Sequence, residues 1–141
     1  MKIAKEFHWE MGHRLPFHKG KCVNLHGHTY RLQVIVSGTE DEHGLVIDFY
    51  DLKRIINPVI EKLDHSFMVS TKDTDLVRLF KGFETKIVLV DFHSTVENIA
   101  KYLLQEISSA GLPGNIDEVA VRVYETTDSY AEASINLNPL V

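Results

Sequence analysis

Two histidines one residue apart, in "NLHGHTYRLQV" (residues 24–34), are the first side chains of this sequence that could share a chemical task. In an extended segment, residues i and i+2 point the same way with Cα atoms roughly 6.5–7 Å apart, so the imidazoles of His26 and His28 can converge on one ion. A third imidazole is within reach. His13 closes the segment "KIAKEFHWEMGH", where it shares a face with Phe7, Trp9 and Met11. If the two segments form a hairpin, residues 14–25 connect them and His13 arrives opposite the pair. Gly27 lets a backbone or a ligand approach closely. Three imidazoles with no fourth protein ligand suit a catalytic zinc site with an open position better than a closed structural one. His8, His18, His43 and His93 are assigned to surface or loop.

Other reactive types lie nearby in the chain. Cys22, in "PFHKGKCVNL", is flanked by Lys19 and Lys21, whose charge favours a thiolate. It reads as a base or nucleophile, as a fourth zinc ligand, or as inert, and spacing alone leaves all three open. In "KLDHSF", Asp64 stands next to His65, and a carboxylate can orient an imidazole for proton transfer. A histidine meeting the dipole at a helix end would look the same. Glu125 shares a face with Val119, Val121 and Val123, where a carboxylate is costly unless it meets donors. Those donors could be the surroundings of Arg122 or the paired N–H groups of an aminopyrimidine-type ring. Thr95 and Glu97, on residue type, are helix-capping residues.

The elements that must position these groups are legible as periodicities. "KIAKEFHWEMGH", "HGHTYRLQVIVSG", "DEVAVRVYET" and "AEASINLN" alternate as strands, and "ETKIVLVDF" reads as a shorter fifth. In "DLKRIINPVIEKL", Leu52, Ile55, Ile56, Val59, Ile60 and Leu63 have helical spacing, with Pro58 expected to kink the helix or leave its first half irregular. In "STVENIAKYLLQEI" the same template recurs, with Ser94 and Glu97 expected as a capping box and Gly111 and Pro113 beyond its end. The order β-β-α-(β)-α-β-β predicts an α+β fold: an antiparallel sheet with two helices on one face. Its other face is expected to be buried by self-association, on the strength of residues such as Ile35 and Ile87.

At 141 residues and 44% hydrophobic, residues 1–141 read as one domain. A net charge of -5 argues against nucleic acid or an anionic membrane as partner. A single cysteine excludes an internal disulfide, and no signal-like or membrane-length apolar run occurs, so a cytoplasmic protein is expected.

Taken together, "FHWEMGHRL", "CVNLHGH", "VIDFYDLK", "LDH", "STVENIA" and "YET", in that order over residues 7–126, resemble the 6-pyruvoyl-tetrahydropterin synthase / 6-carboxy-tetrahydropterin synthase family of the tunnelling fold. The resemblance implies zinc held by His13, His26 and His28, Cys22 as general base, and Asp64 with His65 as its acid–base partner. It implies that Glu125 anchors a pterin, helped by Thr95 and Glu97. It further implies subunits assembled into a β-barrel, usually a homohexamer (a dimer of trimers), with active sites at subunit interfaces. The short spacing in "CVNLHGH" is most similar to the bacterial queuosine-pathway branch. That branch converts dihydroneopterin triphosphate to 6-carboxytetrahydropterin, losing acetaldehyde and triphosphate. The animal-type branch eliminates triphosphate to give 6-pyruvoyltetrahydropterin. Lys19, Lys21 and Arg14 are candidates to bind the triphosphate. Three features depart from the family pattern: Met11-Gly12 before the first histidine, Ser94 and Val96 around Thr95, and a longer segment between His65 and Glu97.

Overall fold

The computed structural model describes residues 1–82 and 84–138. Its elements are β1 (Lys2–His13), β2 (His26–Gly38), α1 (Phe49–Leu63), β3 (Ser66–Ser70), α2 (Thr74–Phe80), β4 (Ile87–Val90), α3 (Val96–Ser108), β5 (Ile116–Tyr124) and β6 (Tyr130–Asn136). They build one six-stranded sheet in the order β4-β3-β1-β2-β5-β6. The first two strands have the bounds that alternation predicts, and they pair antiparallel from Lys2↔Ser37 to His13↔His26.

Alternation decides which face is buried. Phe7, Trp9 and Met11 of β1, Tyr30, Leu32, Val34 and Val36 of β2, and Val119, Val121 and Val123 of β5 all face inward and are buried. Over them lie α1, through Leu52, Ile56, Val59, Ile60 and Leu63, and α3, through Ile99, Ala100, Leu103 and Ile107. Each such side chain contributes about 1.5–3 kcal/mol by leaving water, which makes this face the dominant source of cohesion. The antiparallel strands with α1 and α3 on one face are the α+β arrangement expected.

Several local expectations are corrected. α1 runs unbroken through Pro58 from Phe49, capped by Asp48, whose carboxylate accepts from the Tyr50 N–H. Ser94 and Glu97 do not form a capping box. Thr95 is the cap of α3, its hydroxyl accepting from the Asn98 N–H. The segment after His65 adds a parallel strand and a third helix. β3 joins β1 only through Met11↔Ser66 and Gly12↔Phe67, and β4 pairs parallel to β3. The sheet is therefore mixed at this edge. α2 is seven residues long with Leu76 its buried residue, too short to show a helical period.

The outward face of the antiparallel strands carries a polar lattice around its few apolar residues. Arg31 pairs with Glu6 and stacks on Tyr124 with its guanidinium carbon 3.8 Å from the ring centre, while Arg122 pairs with Glu132. Among the described residues, no helix is long and apolar enough to cross a membrane.

Candidate active site

The β1–β2 hairpin brings the three histidines together. His13 lies opposite His26 across the hairpin and Met11 opposite His28. One ring nitrogen from each of His13, His26 and His28 lies within 4.8 Å of the others. Gly27 permits this approach: a Cβ there would stand 3.1 Å from the Met11 carbonyl oxygen.

The outer contacts of the rings decide which nitrogen faces the centre. His13 Nδ1 donates to the Ser94 carbonyl at 2.8 Å and lies 3.1 Å from the Ser94 hydroxyl. His26 Nδ1 donates to the Asn24 carbonyl at 2.7 Å. A carbonyl partner fixes the N–H on Nδ1 and leaves Nε2 as the lone-pair nitrogen. Nε2 of all three histidines is buried and has no hydrogen-bond partner among the described residues. Buried polar atoms are normally paired, so three orphaned acceptors at one point fit a cation. Burial holds the His13 imidazole down to about 4, opposed by its bond to Ser94 and assisted by the neighbouring His26 and His28. His28 is lowered too, first by burial and then by His26. Neutral imidazoles are the form a metal takes.

Glu125 follows β5 at the rim of this cluster, 3.8 Å from His13 Nε2 and 4.0 Å from His28 Nε2. Burial raises its carboxyl above the ordinary range, and the charge of Glu97 adds to the rise, so the two carboxylates are electrostatic neighbours. Its partner is not Arg122, which is engaged on the other face by Glu132. Tyr30, fully buried beneath the histidines, has its hydroxyl pushed up first by burial and then by Glu125.

The loop between β1 and β2 folds over a short 3-10 turn at Lys21–Val23 and is pinned by the Leu15 N–H donating to the Cys22 carbonyl at 2.8 Å. Cys22 is half-buried and is not among the three residues whose ligand atoms cluster, which leaves its thiol outside the candidate metal set. Arg14 is not free for an anion. Its guanidinium holds the buried Asp73 through two 2.6 Å bonds, and Asp73 also caps α2. Thr95 is engaged in its cap, whereas Glu97 is exposed in the first turn of α3.

Asp64 and His65 lie at the end of α1, beside β1. His65 Nδ1 is 2.9 Å from Asp64 Oδ1. The Glu10 N–H donates to Asp64 Oδ1 at 2.9 Å, and the His65 N–H donates to the Glu10 carbonyl at 2.7 Å. The bond from the Glu10 N–H holds Asp64 below the usual carboxylate range, with His65 and Lys86 helping. A cleft of about 330 Å³ joins Glu10, Gly12, Gly27, His28 and His65.

Two groups at the site were not legible in the sequence. Ser94, expected only as a cap, is buried against His13 from across the fold, and His93, half-buried in the loop before α3 where a surface or loop position was expected, stacks edge-on to Phe17. Neither contact has a local spacing signal.

Comparison with known proteins matches residues 2–136 to the family described as 6-pyruvoyl tetrahydropterin synthase. A 6-carboxy-5,6,7,8-tetrahydropterin synthase of Haemophilus influenzae is 37% identical, covering 93% of this chain and 96% of its own. One of Aquifex aeolicus is also 37% identical, again over 93% and 96%. Among solved structures, 6-pyruvoyl tetrahydropterin synthase of Plasmodium vivax superposes with a TM-score of 0.78 at 22% identity, covering 96% of this chain and 98% of that one, a likeness of fold. The Caenorhabditis elegans protein of the same name gives a TM-score of 0.68 at 26% identity, covering 94% of each chain.

Proposed function

Because this chain belongs to the 6-pyruvoyl tetrahydropterin synthase family, we propose that it is a lyase converting 7,8-dihydroneopterin triphosphate to 6-carboxy-5,6,7,8-tetrahydropterin, with release of acetaldehyde and triphosphate. The choice of branch rests on the relatives at 37% identity, which carry that name. The observation that carries the chemistry is the convergence of three orphaned imidazole nitrogens beside a half-buried carboxylate.

His13, His26 and His28 would hold the metal, for which zinc suits an all-imidazole set with an open position. When bound, zinc supplies Lewis acidity that makes the side-chain hydroxyls of the substrate more acidic. Cys22, outside the ligand set, is the base that takes the proton from the adjoining carbon. His65, oriented by Asp64, accepts and returns protons in turn. Thr95, Glu97 and Glu125 bind the substrate. Glu125, at the rim of the imidazole cluster, anchors the guanidine-like edge of the pterin, helped by Thr95 and Glu97 near the start of α3. With Arg14 committed to Asp73, Lys19 and Lys21 are the cations left for the triphosphate.

We place these reactions in the cytoplasm and in a homohexamer. β1 meets β3 only at Met11 and Gly12, and β6 ends the sheet on the other side, so strand edges are available for subunits to close a barrel. Native mass spectrometry reads the subunit number directly. Incubating the zinc-loaded protein with dihydroneopterin triphosphate and identifying products by mass tests the activity. Acetaldehyde with the 6-carboxy product supports the proposal, and a 6-pyruvoyl product moves the chain to the other branch. Unchanged substrate reduces it to a pterin- or zinc-binding oligomer.

A further inference from the structure

The longer segment between His65 and Glu97 sends a lysine back to the turn that carries Asp64 and His65. Lys86, immediately before β4, donates from Nζ to the Glu61 carbonyl and to the Asp64 carbonyl, both at 2.6 Å. The two oxygens belong to the last turn of α1 and its cap, where carbonyls lack helical partners and the dipole favours a cation. The main chain of Lys86 is fixed as well, since the Phe67 N–H donates to its carbonyl at 3.0 Å. The lysine therefore reaches the turn from an anchored position.

The turn needs holding. His65 has φ 59, a left-handed conformation that costs a non-glycine residue about 1–2 kcal/mol. On the β1 side Glu10 grips the turn with its N–H and its carbonyl. Lys86 is the corresponding grip from the β4 side, so the turn is clamped between two strands that flank β3. Bonds made by an exposed ammonium add little to global stability. Their effect falls on the direction in which the His65 ring is presented.

We infer that Lys86 is a positioning residue, clamping the end of α1 so that Asp64 holds the His65 ring in one orientation and one tautomer. The inference rests on the reading of Asp64 and His65 as the proton relay. The groups facing that relay are Glu10 from β1 and Lys86 from the strand edge.

The test uses the zinc-loaded full chain with Lys86→Met, Lys86→Arg and His65→Asn, asparagine being tolerant of left-handed backbone. Lys86→Met should lower kcat roughly tenfold, as loss of orientation does, with KM, zinc content and assembly unchanged. Lys86→Arg, which can also span two carbonyls, should restore most of the rate. Ring nitrogen NMR of histidine-labelled protein should show His65 as a single Nδ1–H tautomer in the parent and a mixture in Lys86→Met. Wild-type kcat with an unchanged tautomer in Lys86→Met would overturn the inference. So would a lower melting temperature with the tautomer unchanged, because the role would then be structural. Full turnover in His65→Asn would sink the relay reading instead, and the ring-nitrogen measurement would still decide whether Lys86 sets the orientation of His65.

Discussion

Stripping the metal and lowering the pH isolates what the fold spends on keeping His13 neutral. In the folded, metal-free chain His13 titrates at about 4 instead of 6.5, with burial the first cause. Each tenfold change in that equilibrium is worth about 1.4 kcal/mol, so the displacement corresponds to about 3 kcal/mol. The sign follows from which state binds the proton first. Between 6.5 and about 4 the unfolded chain holds a proton on His13 that the folded chain does not. Stability is therefore complete above 6.5, falls as the pH drops through this window, and levels off below about 4. His28 pulls in the same direction. Glu125, whose carboxyl is raised, pulls the other way and offsets part of the loss. The His13→Asn variant removes one contribution and leaves the others in place. Urea unfolding at fixed protein concentration, in chelator, from pH 7.5 to 4 measures both proteins. The parent should lose about 3 kcal/mol more than His13→Asn across the window. Parallel curves would refute the argument that a buried, neutral His13 is built into the fold.

Cys22→Ala should retain stoichiometric metal by elemental analysis while losing turnover. Loss of metal and fold together would make the thiol a ligand. Ser94→Ala removes the hydroxyl 3.1 Å from His13 Nδ1 but keeps the carbonyl. Zinc affinity in a chelator competition should fall roughly tenfold, the lower end for a lost outer-shell partner, and an unchanged affinity would show that the carbonyl orients the ring alone. Arg14→Met strands Asp73, which is 4% exposed, without its cation. Unfolding should become easier by about 3 kcal/mol, as for one half of a buried pair; a raised KM with unchanged stability would instead return Arg14 to the triphosphate.

What could be read in advance depended on how far apart in sequence the cooperating residues lie. Strand parity alone put Trp9, Met11 and His13 together on one face of their strand and His26, His28 and Tyr30 together on one face of theirs, and the structure has both strands with those bounds. A helix such as α3 announces itself through Ile99, Ala100, Leu103 and Ile107. β3 is nearly all buried over five residues, so it has neither period, and α2 is too short to show one. The candidate site divides on the same line. The histidine cluster comes from one hairpin and was legible. The Ser94 bond to His13 spans 81 residues and the Arg14–Asp73 pair spans 59, and neither leaves a mark on the spacing around it. Polar residues that could cap a helix or meet solvent look identical until their distant partner is known.

The hairpin shows why the part that was legible is also the part least free to vary. A connector as long as residues 14–25 does not dictate strand register the way a two-residue turn does. Register must come from the strands themselves. A slip of one residue between β1 and β2 would turn one strand's apolar set to the outer face and its histidines with it. A slip of two keeps the faces: in one direction it sets His13 opposite Asn24 and farther from His28, and in the other it sets His13 opposite His28, so the imidazoles alone do not fix the register. Either slip would place Leu25 or Thr29 where Gly27 now passes the Met11 carbonyl, at a site where a Cβ stands only 3.1 Å from that oxygen. A Cβ at Gly12, across the pair, would fall 2.6 Å from the Phe67 ring of β3, which fixes β1 against its other neighbour. Core alternation therefore selects the face and the two glycines select the pairing. The three imidazoles converge because both conditions admit a single alignment of β1 on β2.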